Sequence, residues 1–250
     1  MADTERQELA SITAFYYAIE KGANLGTLAE PAINLQDRDE ELYKALLSAY
    51  SDMETRWYKA FIKQAIVLIK WLGHTQGSTD TSYKYGRFGS SSIDSIPSNK
   101  TSVLGDWMWD NLTKDQKKLY GSNPKKDTWN PMDVYLVKKS DEDGIKEEIK
   151  ESCCENRIGE DVESAAVMEM QSLNQYLAYY ANKHTFVGIS LKETDFGDPK
   201  VTENNLKNTF DHLHSSCGMI TKKLNMNMTV SGSKGKSKVL DFQTNSLKYD

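Results

Sequence analysis

Long apolar stretches are missing from this chain of 250 residues. The run Ala65-Ile66-Val67-Leu68-Ile69 stops at Lys70, far short of the roughly 20 residues needed to cross a bilayer. Cysteine is scarce, with only Cys153, Cys154 and Cys217. An odd count with two adjacent thiols makes no disulfide framework, so a reducing compartment is expected. The opening, Asp3-Thr4-Glu5-Arg6-Gln7-Glu8, is acidic and polar, which fits neither a secretory leader nor a basic transit peptide. Sequons at Asn99, Asn111 and Asn227 therefore read as chance matches, and the expected location is the cytoplasm or a virion. An excess of positive charge is missing too. The 31 basic residues face 36 acidic ones, a net charge of −5, which excludes a uniformly cationic coat for nucleic acid.

Hydrophobic content of 38% with 27% charged residues is that of a globular protein, and the length suffices for one substantial core or two small ones. Periodicity then divides the chain. Leu9, Ile12, Tyr16 and Ile19 recur at helical spacing over Thr4–Lys21, and Gly22 follows as a stop. The acidic start Asp37–Glu41 suits a helix N-terminus, and the stripe Leu42, Leu46, Tyr50, Met53, Trp57, Phe61, Ala65, Leu68, Leu72 runs to Gly73. That stripe is one long helix or two joined near Ser51-Asp52. Residues 1–73 thus read as a helical region.

Residues 74–128 read as an irregular Gly/Ser-rich connection hiding short elements, with Tyr83–Phe88 a strand candidate and Thr113–Tyr120 a short helix. Its functional reading is a substrate-embracing insertion that uses Tyr83, Tyr85, Arg87 and the nearby lysines. Asp106-Trp107-Met108-Trp109-Asp110 suits base stacking or core packing, the latter being the commoner fate. Residues 129–250 read as an α/β core. Asp133–Val137 is the clearest strand, and charged residues from Asp143 to Glu155 suggest an exposed helix. Val162, Ala166, Met170, Leu173, Leu177 and Tyr180 mark a second helix leading to the strand Phe186–Lys192. A further helix carries Leu206, Phe210, Leu213 and Cys217, and Met226–Val230 with Lys238–Gln243 alternate like a hairpin.

Two strands end in polar residues that an apolar sheet does not need. Asp133 opens one, while Ser190 and Lys192 lie two apart near the end of the other, on one face. A carboxylate and a lysine on neighbouring strands suit phosphodiester hydrolysis with a divalent metal such as Mg²⁺. A strand-edge aspartate beside a solvated lysine is the plainer reading. His212-x-His214-x-x-Cys217 has zinc-binding residue types, but positions two apart diverge on a helix, and the histidines read as flanking Leu213.

At Pro131-Met132-Asp133 and Ser190-Leu191-Lys192 the chain resembles the PD-(D/E)XK nuclease superfamily, and the wording around these motifs is similar to phage-encoded proteins with a degenerate motif. The resemblance covers roughly Trp129–Glu193. It implies a helix-rich N-terminal region followed by a mixed-sheet, restriction-endonuclease-like core. It further implies Asp133 as a ligand for Mg²⁺ and Lys192 as the catalytic lysine. A helical acid completes such a site, with Glu54 the first choice and Glu20 the second. Ser190 stands where the superfamily has an acid, so Glu203 or Asp211 from the following helix would be recruited. Lys117, Lys118, Lys125 and Lys126 are the expected DNA contacts; a second basic group, Lys222, Lys223, Lys234, Lys236 and Lys238, lies near the C-terminus. Two functions stay open: a metal-dependent nuclease acting on DNA, and a catalytically inactive structural or interaction protein, with partners in a virion assembly.

Overall fold

The computed structural model describes residues 3–30, 34–53, 56–89, 93–121, 123, 125–126, 132–151, 162–191, 225–231 and 237–243. The chain divides into two units at Leu206. In the first, helix α1 (Asp3–Glu20) is buried at every position from Ala10 to Ile19. Burial on all sides exceeds the single stripe of Leu9, Ile12, Tyr16 and Ile19 that the periodicity suggests. The helix accommodates Thr13 by returning its hydroxyl to the Leu9 carbonyl at 2.6 Å. Gly22 then stops it at φ +65, a left-handed conformation that glycine adopts without a Cβ clash.

Helices α2 (Leu35–Arg38), α3 (Glu40–Ala49) and α4 (Arg56–Trp71) follow, and α1 packs against both α3 and α4. Asp39 caps α3 by accepting the Leu42 amide at 2.9 Å. The long apolar stripe is therefore two helices, parted at Tyr50–Met53. The expected connection contributes structure of its own: strand β1 (Tyr83–Arg87) and helices α5 (Leu104–Asn111) and α6 (Lys114–Lys118). A capping box between Thr113 and Gln116 starts α6. Strand β2 (Val134–Lys138), helix α7 (Glu142–Ile149), helix α8 (Val162–Asn182) and strand β3 (Phe186–Ile189) complete the described part of this unit. No described helix is long and apolar enough to cross a membrane.

The sheet has the order β1-β2-β3, with Val134 opposite Ile189 and Leu136 opposite Val187, so the two motif strands are neighbours. Both ladders are antiparallel, which corrects the expectation of a mixed sheet. Helices α7 and α8, both expected from the sequence, lie between β2 and β3, and β3 returns antiparallel beside β2. Helices cover both faces. Val134, Leu136, Tyr83 and Tyr85 join the core of α1, α3 and α4, while Tyr135, Val137 and Phe186 join that of α5, α7 and α8. The second unit is described by its hairpin alone, strand β4 (Asn225–Ser231) paired antiparallel with β5 (Ser237–Gln243), as the alternation predicts.

Tyr135 sits at the centre of the sheet. Its two partners across the ladders are Gly86 and Gly188. A Cβ on Gly86 would fall inside the Tyr135 ring, and one on Gly105 would meet Phe88 at 2.8 Å. The buried phenol accepts the Gly105 amide at 2.9 Å and donates to the Ser102 carbonyl at 3.0 Å, tying β2 to the start of α5. Gly86→Ala is expected to cost at least about 2 kcal/mol, because the methyl must displace a ring fixed at both ends. Tyr135→Phe should cost about 1–3 kcal/mol through the stranded Gly105 amide. Chemical denaturation measures both; an unchanged midpoint for Gly86→Ala would mean the ring is not fixed.

Candidate functional site

The sheet brings three chain segments together at one end: the last residue of β1, the residue before β2, and the residues after β3. Asp133 is bound to both neighbours through its backbone. Its amide donates to the Ile189 carbonyl at 2.9 Å, and its carbonyl accepts the Phe88 amide at 3.3 Å. Its side chain reaches across as well, with Oδ2 accepting the Leu191 amide at 2.5 Å. Asp133 therefore lies beside Ser190, which is exposed, and Leu191, which is buried in the α1-facing core. Lys192, the other half of the expected pair, lies outside the described residues, as do Glu54, Glu203, Asp211, His212, His214 and Cys217.

A helical acid does stand at this end, and it is Glu8 of α1. Glu20, the second choice from sequence, lies 12 residues further along the helix, about 18 Å away, and pairs there with Lys100. Glu8 approaches through Arg87, the last residue of β1. The Arg87 guanidinium is 7% exposed and donates from Nε to Glu8 Oε2 at 3.0 Å and from Nη1 to Glu5 Oε1 at 3.2 Å. Its Nη2 also contacts Glu8 Oε2. Burial raises the Glu8 carboxyl above the ordinary range. The Arg87 pairing opposes that rise, while the negative charges of Asp133 and Glu5 add to it.

Tyr83, Tyr85 and Arg87 are thus buried in the fold, which overturns their reading as substrate-embracing surface residues. Trp109 and Met108 likewise fill the core beneath α5. The expected DNA-contacting lysines have partners within the chain. Lys117 lies 5.2 Å over the Trp109 ring, Lys118 is 2.6 Å from Asp115, and Lys126 is 2.9 Å from Asp110 and 4.0 Å from Asp106. Lys125 is engaged as well. Half-exposed pairs of this kind contribute about 0–1 kcal/mol, so a phosphate can displace them.

Sequence reasoning missed Glu8 and Arg87 because nothing local marks them; their partners lie about 80 positions away in the chain. It also missed the buried network at the opposite end of the sheet. There Glu142 accepts from Lys84 at 2.6 Å and from Ser102 at 2.8 Å, while Lys100 donates to the Thr81 carbonyl at 2.8 Å besides pairing with Glu20. These contacts tie the helices to the sheet, although the buried Glu20 Oε2 has no hydrogen-bond partner.

Among the described residues no three metal-binding side chains converge. Two carboxylates, Asp133 and Glu8, share the acid end, and Mg²⁺ is commonly held by one or two carboxylates with substrate phosphate and water completing its shell. Here Glu8 is already paired with Arg87 and Asp133 Oδ2 with the Leu191 amide. The adjacency of the two acids is open to titration. Glu8 folds with its value raised above the ordinary 4.5, so the folded state holds the proton more tightly than the unfolded chain. Its contribution to stability is full below the ordinary glutamate value and is lost as pH rises through the raised one. Glu8→Gln should remove that slope, and Asp133→Asn should lower the Glu8 midpoint in an NMR titration; an unchanged midpoint would separate the two carboxylates.

Comparison of the chain with protein-family models, with curated proteins and with solved structures returned no match.

Proposed function

We propose that the chain is a metal-dependent phosphodiesterase acting on DNA, with its site at the end of the sheet where Asp133 meets the segment after β3. The observation that carries this reading is the hydrogen bond from the Leu191 amide to Asp133 Oδ2 at 2.5 Å. It holds the Asp133 carboxylate beside Ser190-Leu191, which supports the reading that the two motif segments meet. The pairing of β2 with β3, together with Glu8 of α1 at the end where Arg87 closes β1, supports it further.

In this reading Asp133 and Glu8 hold Mg²⁺. The ion, when bound, supplies a water of lowered pKa and a counter-charge for the phosphate. Lys192 orients the attacking water or neutralises the charge developing on the phosphate oxygens. Ser190, exposed at the strand end, can donate a hydrogen bond to a phosphate oxygen but brings no charge. Lys117, Lys118, Lys125 and Lys126 exchange their internal partners for backbone phosphates, an exchange that salt would weaken.

A second reading has one specific observation in its favour. Arg87 already engages Glu8 and Glu5 in ion pairs, as expected of a catalytically inactive structural or interaction protein, such as a virion component, that keeps the fold. Cleavage assays separate the two. The nuclease reading expects DNA cleavage that needs Mg²⁺ or Mn²⁺ and stops with a chelator. Asp133→Ala and Lys192→Ala should each lower turnover at least about 100-fold, the scale of lost charge stabilisation at a reacting phosphate. Folded wild-type protein that cleaves neither DNA nor RNA with either metal would leave the structural reading standing.

A further inference from the structure

The end of the sheet away from Asp133 gathers lysines. Lys84 lies in β1, Lys100 closes the single helical turn Ser98–Lys100, and Lys139 directly follows β2. Backbone groups fix two of them on one short segment ahead of β1. The Lys139 amide donates to the Ser82 carbonyl at 2.8 Å, and the Lys100 ammonium donates to the adjacent Thr81 carbonyl, also at 2.8 Å. Lys100 is buried and pairs with Glu20 of α1, and its side chain makes a hydrogen bond with that of Lys139. Lys139 itself is exposed.

Two lysines joined by a hydrogen bond cannot both be ammonium, because an ammonium has three donors and no acceptor. Lys100 is the cation of this pair. Without its proton, the buried Glu20 carboxylate would lose its positive partner. Burial alone would lower Lys100, but its bonds to Glu20 and Lys139 hold it above the ordinary lysine range. One donor goes to Glu20 and one to Thr81, and the third meets Lys139 Nζ. Lys139 is therefore the neutral amine. The bond from Lys100 is the largest cause that lowers it below the ordinary range; the charges of Lys100 and Lys84 add to this, and that of Glu20 opposes it.

We propose that Lys139 is a reactive amine that captures carbon dioxide as a carbamate, with Lys100 as the counter-cation of the product. The Nζ lone pair attacks the carbon of CO₂ and a C–N bond forms. One C=O π pair moves onto oxygen, and the nitrogen releases one proton to solvent, so no oxidant or reductant is needed. The product is an anion with two acceptor oxygens. The third Lys100 donor then meets an anionic oxygen instead of a neutral nitrogen, and such charge-assisted bonds are the stronger kind. Lys84, held by Glu142 at 2.6 Å, adds positive charge beside it. An acyl donor would leave a neutral amide, which gains far less from these two cations. The site lies at the opposite end of the sheet from Asp133 and does not depend on the nuclease reading.

Trapping in ¹³C-labelled bicarbonate near neutral pH tests the proposal. Triethyloxonium converts a carbamate into a stable ester, which peptide mass spectrometry assigns to its lysine. Lys139 of the wild-type protein should carry several-fold more label than the exposed Lys70, since only the free amine reacts. Folded Lys100→Met, checked by circular dichroism, should bring Lys139 down to the level of Lys70. Equal labelling of Lys139 and Lys70 in wild type overturns the proposal, and this comparison decides alone should Lys100→Met not fold. An excess that survives in folded Lys100→Met overturns the part given to Lys100. Fast acetylation of Lys139 by acetic anhydride without an excess of carbamate would reveal a free amine that does not hold CO₂, and overturns the proposal as well.

Discussion

Tyr135 fills the centre of the sheet because neither flanking strand places a side chain opposite it: Gly86 stands on one side and Gly188 on the other. The ring fills the space over Gly86 while Met132 fills that over Gly188, and the Tyr135 hydroxyl ends on the Gly105 amide and the Ser102 carbonyl. That fit fixes register. A slip of one residue in either ladder would set a side chain against the ring and turn the apolar set of β2 to the wrong cores. The consequence for function lies two residues away. With Tyr135 opposite the two glycines, Arg87 and Ile189 fall opposite Val134, and Asp133 is left just beyond the ladder, where it meets Leu191. The geometry of the acid end is thus inherited from a packing decision in the core.

Helix α1 links that end to the other one. Burial from Ala10 to Ile19 holds it against the sheet, so the acids before and after that stretch emerge at opposite ends of the strands. Glu20 meets Lys100 beside a network in which Glu142, Lys84 and Ser102 satisfy one another. Glu8 meets Arg87 beside an exposed Ser190 and a second carboxylate. Buried ion pairs repay their desolvation only when geometry is good and the remaining lone pairs are satisfied. The network around Glu142 approaches that condition. At Glu8 two donors crowd one oxygen and a third charge lies nearby. The other end is not fully matched either, since the buried Glu20 Oε2 has no hydrogen-bond partner.

The elements most legible from sequence were those whose own periodicity records their burial: α1, the α3–α4 stripe, α8, the two motif strands and the terminal hairpin. Helix α5 was hidden for a physical reason. It is eight residues long, starts without a side-chain cap and carries Gly105, whose hydrogen merely makes room for Phe88 and Tyr135. The antiparallel sense of the sheet was not legible, because strand direction is set by tertiary pairing and leaves no mark on the apolar pattern of either strand. Of the site, the approach of Asp133 to Ser190-Leu191 was readable from two strand ends. Glu8 was not, since the residue matters for which end of a buried helix it occupies. Arg87 looked like a surface contact; its burial follows from ion pairs 79 and 82 positions apart in the chain.

Charge decides how the two functional readings divide. The chain is acidic overall, and Asp106, Asp110 and Asp115 stand among the lysines that would meet DNA. A polyanion approaching this surface gains little until those pairs open, and at the acid end it meets Glu5 and Glu8 already paired with Arg87. Phosphate can settle there only with an added cation, which is what the nuclease reading supplies and the structural reading does without. Arg87 is the hinge of that difference. If its pairing with Glu8 is permanent, the end is a closed structural joint whose charge repels nucleic acid. In the nuclease reading a divalent ion would have to take Glu8 from a guanidinium that donates from three nitrogens to Glu8 and Glu5, and that competition is what separates the two readings.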